Sequence, residues 1–225
     1  MPDLFPTTHA TWLMQTIVDD PPAARSHVMQ RYAAPLCAYA RASSLRLLGE
    51  PEELVNDFLA ARVGEASYLE RWRGSGLSLR RWLVNGLLTH TRNKALAERR
   101  RRTGGMAIDP ADIDRITSSN DSNALLALER AWAIRTMTEA HDRVREELHA
   151  DGKDAWWELF RLHSMQGQAY AQACATTGVP LGSASHVNRV VAARLRETIV
   201  AILLRDGVPP DEVEQELAGM QDALG

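Results

Sequence analysis

Cysteine is nearly missing from this 225-residue chain: Cys37 and Cys174 lie far apart, and neither belongs to a CxxC pair. That argues against a disulfide framework or a zinc knuckle and fits a reducing cytoplasm. Long apolar runs are missing as well. The best one near the C-terminal end, Ile199 to Leu204, is far too short to span a bilayer, so membrane insertion is not expected. No basic segment followed by an apolar run stands near the start, so a signal peptide is not expected either. Catalytic signatures are also lacking: there is no GxxxxGK loop ending in Ser or Thr, no GxSxG elbow and no HExxH step. Glu146 and His149 form one ExxH step, whereas a di-metal bundle needs two such steps and further carboxylates. The expectation is a protein that is not an enzyme and holds neither metal nor cofactor.

What is present is helical. Hydrophobic residues at 45% and charged residues at 24% are ordinary for a globular chain, and the net charge is only −3. One stretch departs from that balance. Leu79 to Arg102 holds seven arginines, one lysine and a single acid, Glu98, so it carries +7 and leaves −10 for the rest. A localised cationic helix on an acidic chain is an electrostatic footprint for phosphate, although basic helix faces are often only solvated surface.

The same stretch has a helical pattern. Leu79, Leu83 and Leu87 recur every four residues, with Trp82 and Leu88 widening the apolar stripe. Arg81, Asn85, Thr89, Arg92 and Arg99 mark another face. Ser78 is placed to cap the start, and Gly104-Gly105 to end the helix. Arg80, Arg81, Arg92, Lys94, Arg99, Arg100, Arg101 and Arg102 are candidate contacts to backbone phosphate, which position a nucleic acid without specifying its sequence. Trp82 could stack on a base, but a tryptophan in such a stripe is more often core.

Taken in order, Thr8 to Val18 reads as a short helix, and Asp20-Pro21-Pro22 starts the next. That second helix, about 23–43, should kink at Pro35. Pro51-Glu52-Glu53 starts a third helix through Val63, with Leu54, Phe58 and Ala61 on its apolar face. A shorter helix follows around Tyr68 to Arg73. Residues 103–122 are rich in Gly, Ser and Asp with little periodicity, and read as a flexible linker. Beyond it come a long helix to about His149, another bearing Trp156, Trp157 and Phe160, and then a short helix, a turn at Gly178 and a longer helix from about Ser183. This is helix-turn-helix order, with Ser183, Ser185, His186 and Arg189 on the exposed early turns of the second helix. An ordinary helical hairpin has the same spacing. From Pro209 onward the chain is one acidic amphipathic helix, with no lysine or arginine after Arg205.

The fold expected is therefore all-α: two small helical domains joined by a flexible linker, the second containing a helix-turn-helix. The spans are 1–102, a linker at 103–122, 123–205, and an acidic C-terminal helix at 206–225.

The order of these features resembles the two-domain extracytoplasmic-function sigma factors of bacterial RNA polymerase, over most of the chain. RYAAPLCAYAR (Arg31–Arg41) and EELVNDFLA (Glu52–Ala60) resemble segments of the family's first domain; LRRWLVNGL followed by RNKALAERRRR resembles its promoter-melting helix; YAQACATTGVPLGSASHVNRVVAARLRE resembles its helix-turn-helix; and the acidic helix after Pro209 resembles a C-terminal extension of some members. The resemblance implies docking on the polymerase through Leu54, Asn56, Asp57 and Phe58. It implies contact with the downstream promoter element through Arg80, Arg81, Trp82, Asn85, Arg92, Asn93, Lys94 and Arg99 to Arg102. It implies contact with the upstream element through Ser183, Ser185, His186, Asn188 and Arg189. Core RNA polymerase and promoter DNA are the implied partners, with room for an anti-sigma factor, in the cytoplasm. There are departures. Thr89 stands where the family's Arg-Asn pair usually begins, with Arg92-Asn93 about one turn later. Ala184 and Asn188 replace a valine and a buried leucine, which implies a rotated or less tightly packed helix. Two other classes stay open: a stand-alone helix-turn-helix regulator, and a degenerate sigma-like interaction module.

Overall fold

A computed structural model describes residues 11–101, 109–118 and 121–225. Every regular element among them is helical. By internal contacts the chain divides into two units: Met1–Ala133 with Arg205–Gly225, and Ile134–Leu204.

The first unit begins with α1 (Trp12–Asp19) and α2 (Pro21–Ala42). Asp20 caps α2 by accepting from the Ala23 amide at 3.1 Å, and two prolines fill the first turn, where their missing N–H groups cost nothing. The helix runs on through Pro35. A 3-10 turn (Ser44–Leu47) leads to α3 (Pro51–Phe58), which carries Glu52 and Glu53 at its positive end and widens into a π turn at Leu59–Val63. After α4 (Ala66–Arg73) comes the cationic α5 (Leu79–Arg101). Ser78 caps it, its Oγ accepting from the Arg81 amide. Leu79, Leu83, Val84, Leu87 and Thr91 form its buried stripe.

Where α5 crosses α3 and α4, Gly86 is a steric requirement. A Cβ there would overlap the Tyr68 hydroxyl and come within 2.9 Å of Phe58 Cε2. The crossing also sets what lies on α5's outer side, because Tyr68 and Trp82 are brought to 5.5 Å between ring centroids.

The stretch read as a linker is not wholly irregular. Pro110–Ser118 forms α6, with Ile113, Ile116 and Thr117 buried at helical spacing. Ile113 and Ile116 bury despite the surrounding glycines and serines, and Ser44 Oγ donates to the Ile116 carbonyl at 3.0 Å. α7 (Ser122–Ala150) starts in the first unit, where Ala124, Leu128 and Trp132 are buried, and passes into the second at Ile134. The division thus falls inside α7 rather than at residue 123. The acidic segment after Arg205, ending in α11 (Val213–Leu224), belongs to the first unit.

In the second unit, α8 (Asp154–Phe160), a π turn (Arg161–Met165), α9 (Tyr170–Thr177) and the start of α10 (Leu181–Arg205) surround one small core. It consists of Leu159, Leu162, Ala173, Cys174, Val179, Ala184 and Val187. Gly178, at φ +74°, ends α9 and donates its N–H to the Cys174 carbonyl at 2.9 Å. Only a left-handed residue closes the helix this way at no steric cost.

Candidate nucleic-acid interface

Among the cations of α5, Arg81 is half-buried, and the others fall into three groups. Arg80 is turned inward, with its side chain 11% exposed. Its Nε donates to Glu129 at 3.0 Å, its Nη2 to both oxygens of Glu216 at 2.6 and 2.9 Å, and the guanidinium lies 4.0 Å from the Trp132 ring centroid. The expectation that it faces a phosphate does not fit this arrangement. Arg92 and Lys94 are at the surface but paired: Arg92 Nε with Asp114 at 2.7 Å, and Lys94 Nζ with Asp57 at 2.8 Å. Arg99, Arg100 and Arg101 are exposed in the last turn, and Asn93 is exposed beside Arg92. Arg102 lies outside the described residues, as do Gly104 and Gly105.

Between α4 and α5 lies a cavity of about 280 Å³ walled by Arg62, Tyr68, Arg71, Trp82, Asn85 and Thr89, with Leu77 and Gly86. Trp82 is half-buried here rather than core, and its Nε1 is buried without a hydrogen-bond partner. Tyr68 is nearly enclosed and its hydroxyl donates to the Trp82 carbonyl at 3.4 Å. Burial pushes the phenol pKa far up, against the pull of Arg71 and Arg62, so Tyr68 stays neutral. Arg71 is oriented by Ser67 Oγ at 2.8 Å and lies 5.9 Å from the Tyr68 ring. Asn85 and Thr89 are exposed at the rim. The walls offer π faces and two guanidinium groups, which share Glu65 at 3.5 and 3.8 Å. Such a set suits a planar polar ring attached to an anionic backbone.

Trp82 and Asn85 were legible in the sequence as candidates on this helix. Tyr68, Arg62 and Arg71 were not, because α4 lies apart from the cationic run. The available signal was the aromatic-and-arginine composition of YLERWR.

No family model, curated protein or solved structure matches this chain.

The residues read as a polymerase-docking surface separate into two kinds. Leu54 is 7% exposed and Phe58 is fully buried, its ring 5.9 Å from Tyr68 and 6.1 Å from His90. Both are core, because they share the face of α3 that meets α2 and α5. Asn56 is exposed, and Asp57 is half-exposed. Lys94 and then His90, the latter at 2.9 Å, hold the Asp57 carboxyl below the usual carboxylate range. Of these four residues, Asn56 and Asp57 are therefore the ones at the surface of α3.

In the second unit, Ser183, Ser185, His186 and Arg189 are exposed on the first turns of α10. Ala184 is 1% exposed and Val187 2%, so the small residue at 184 faces the core. Asn188 is half-buried and accepts from Ser164 Oγ at 2.8 Å. That bond ties α10 to the π turn and takes up one of the polar groups expected to face DNA. Arg194 and Lys153 both reach Asp151, at 3.1 and 3.3 Å.

Proposed function

We propose that this chain is a sigma factor: it docks on core RNA polymerase, opens promoter DNA with its first unit and reads an upstream element with its second. The observation that carries this reading is the Trp82–Tyr68 cavity on a helix ending in three exposed arginines. Melting a duplex requires a place to hold an unstacked base and cations to hold the strand beside it. The cavity supplies the first, and Arg62, Arg71 and Arg99 to Arg101 supply the second. The short α9, the left-handed Gly178 and the exposed polar row of α10 have the form of a major-groove reader, a helix-turn-helix. Such work belongs in the cytoplasm.

The test is run-off transcription with purified chain and core polymerase. Binding to the core enzyme and a promoter-dependent transcript are expected; failure to bind core overturns the reading. The exposed row of α10 also favours a stand-alone regulator. Duplex binding by the chain with no affinity for core polymerase is the outcome that would establish that alternative.

A further inference from the structure

The C-terminal segment is held on the first unit at two unlike places. At the first, Asp206 is 3% exposed and accepts from Arg31 Nε at 2.6 Å and from His27 Nε2 at 2.9 Å. Arg31 is itself 3% exposed. Arg205 covers the Trp12 ring at 4.8 Å, and Gly207 takes φ +93° against Trp72, where a Cβ would approach the indole to 2.9 Å. A buried ion pair and close packing fix this end.

The second place is the Glu216–Arg80 contact, where two carboxylates share one guanidinium. Burial raises the Glu129 carboxyl above its ordinary range, Arg80 pulls it back, and the nearby Glu216 charge raises it further. The helix carrying Glu216 is also loosely seated. Clefts of about 280 and 420 Å³ flank the contact, one bordered by Trp72, Ser78 and Glu212, the other by Trp132, Gln215 and Met220. α11 has 12 residues and buries Val213, Met220 and Ala223. A helix of that length is marginal by itself. When it lifts, Arg80 keeps Glu129 and the Trp132 face, while Glu216 and the three small apolar contacts of α11 (Val213, Met220 and Ala223) return to water. Lifting Asp206 would instead break a buried ion pair.

We propose that Arg80 is a phosphate-binding group masked by the chain's own Glu216, with α11 a releasable strap whose fixed end is Asp206. The phosphate is that of a nucleic-acid strand, which rests on the reading of α5 as a nucleic-acid interface. An arginine Nη2 presented to two oxygens accepts phosphate in the same geometry as carboxylate. Arg80 stands in the first turn of a 23-residue helix, where the backbone dipole also favours an anion. The strap thus places a carboxylate where a strand phosphate would bind, and the two compete.

The test uses the full chain, a labelled single-stranded oligonucleotide and, separately, pyrophosphate, each over a salt series. Glu216→Ala is expected to bind the oligonucleotide about threefold to tenfold tighter at low salt, with a log–log salt slope steeper by roughly 0.7, the value of one added phosphate contact. Asp211→Ala removes the same charge from an exposed site on the segment and is expected to change neither. Combining Glu216→Ala with Arg80→Gln should abolish the gain. Should Arg80→Gln not fold, a peptide of residues 206–225 added to Glu216→Ala supplies the same information: it should restore the weaker binding, and the peptide carrying Glu216→Ala should not. Glu216→Ala behaving like Asp211→Ala, a gain that survives Arg80→Gln, or a peptide without effect overturns the proposal. Tighter pyrophosphate binding with an unchanged oligonucleotide would assign the site to free phosphate and overturn the nucleic-acid source. A chain that shows the gain yet ignores core polymerase keeps the strap and loses the sigma-factor reading.

Discussion

Gly86 shows how one small residue fixes a site. Its missing side chain lets α5 approach Tyr68 and Phe58, and that approach shapes the wall of the Trp82 cavity. Gly86→Ala should cost about 1–3 kcal/mol by overpacking, as read from denaturant unfolding. Tyr68→Phe removes the hydroxyl that the new methyl would overlap, so the double variant should recover part of the loss. Trp82→Phe is the complementary case. Trp82 Nε1 has no partner in the protein, so the change should alter stability little while weakening single-strand binding by titration. His141 gives a pH-dependent outcome. Burial beside Trp157 holds its pKa below the ordinary 6.5, with Asp142 pulling partly back. The unfolded chain takes the proton that the folded chain resists, so stability should fall as pH drops below about 6.5. His141→Gln should flatten that decline in thermal melts at stepped pH.

At the level of elements, α5 was the most legible part of the sequence. Its apolar stripe at Leu79, Leu83 and Leu87 and its Ser78 cap follow from local periodicity, and both are present in the fold. The acidic pairing of Arg80 was not legible because its partners lie 49 and 136 residues away, and no spacing rule relates Arg80 to Glu129 or Glu216. Leu54 and Phe58 followed the apolar face of α3 into the core, as their spacing implied; the docking role assigned to them came from resemblance alone. α6 was overlooked for a different reason. Ile113, Ile116 and Thr117 have helical spacing, but the Gly and Ser around them masked so short a pattern. Ile113→Ala should cost about 2–5 kcal/mol, since Ile113 is 1% exposed. At the far end of α5, reversing Arg99, Arg100 and Arg101 to glutamate should weaken nucleic-acid binding and flatten its salt slope by roughly 0.7 per lost phosphate.

Over the whole molecule, the excess acid outside α5 is not spread evenly. Glu129 and Glu216 sit on Arg80, Asp114 on Arg92 and Asp57 on Lys94, so three of the seven cations of that helix are answered by acids from elsewhere in the chain. Composition announced the +7 helix but not where the compensating acids fold back onto it. Even so, the two units keep the helical class that apolar periodicity suggested, with no helix among the described residues long and apolar enough to cross a membrane. Asp206→Ala removes the carboxylate that Arg31 meets in the interior and should destabilise the first unit by about 3 kcal/mol or more in denaturant unfolding.

The Arg31–Asp206 pair also has a consequence in time. Its partners are 175 residues apart, and the chain between them includes the whole of the second unit. At roughly 5–20 residues per second, the ribosome delivers Asp206 about 10 to 35 seconds after Arg31. Throughout that interval the nascent first unit lacks the acid that its interior is built to receive. Its last folding step therefore waits on the synthesis of Asp206, and a ribosome stalled before that residue would leave the unit incomplete, with its interior open to chaperones and proteases.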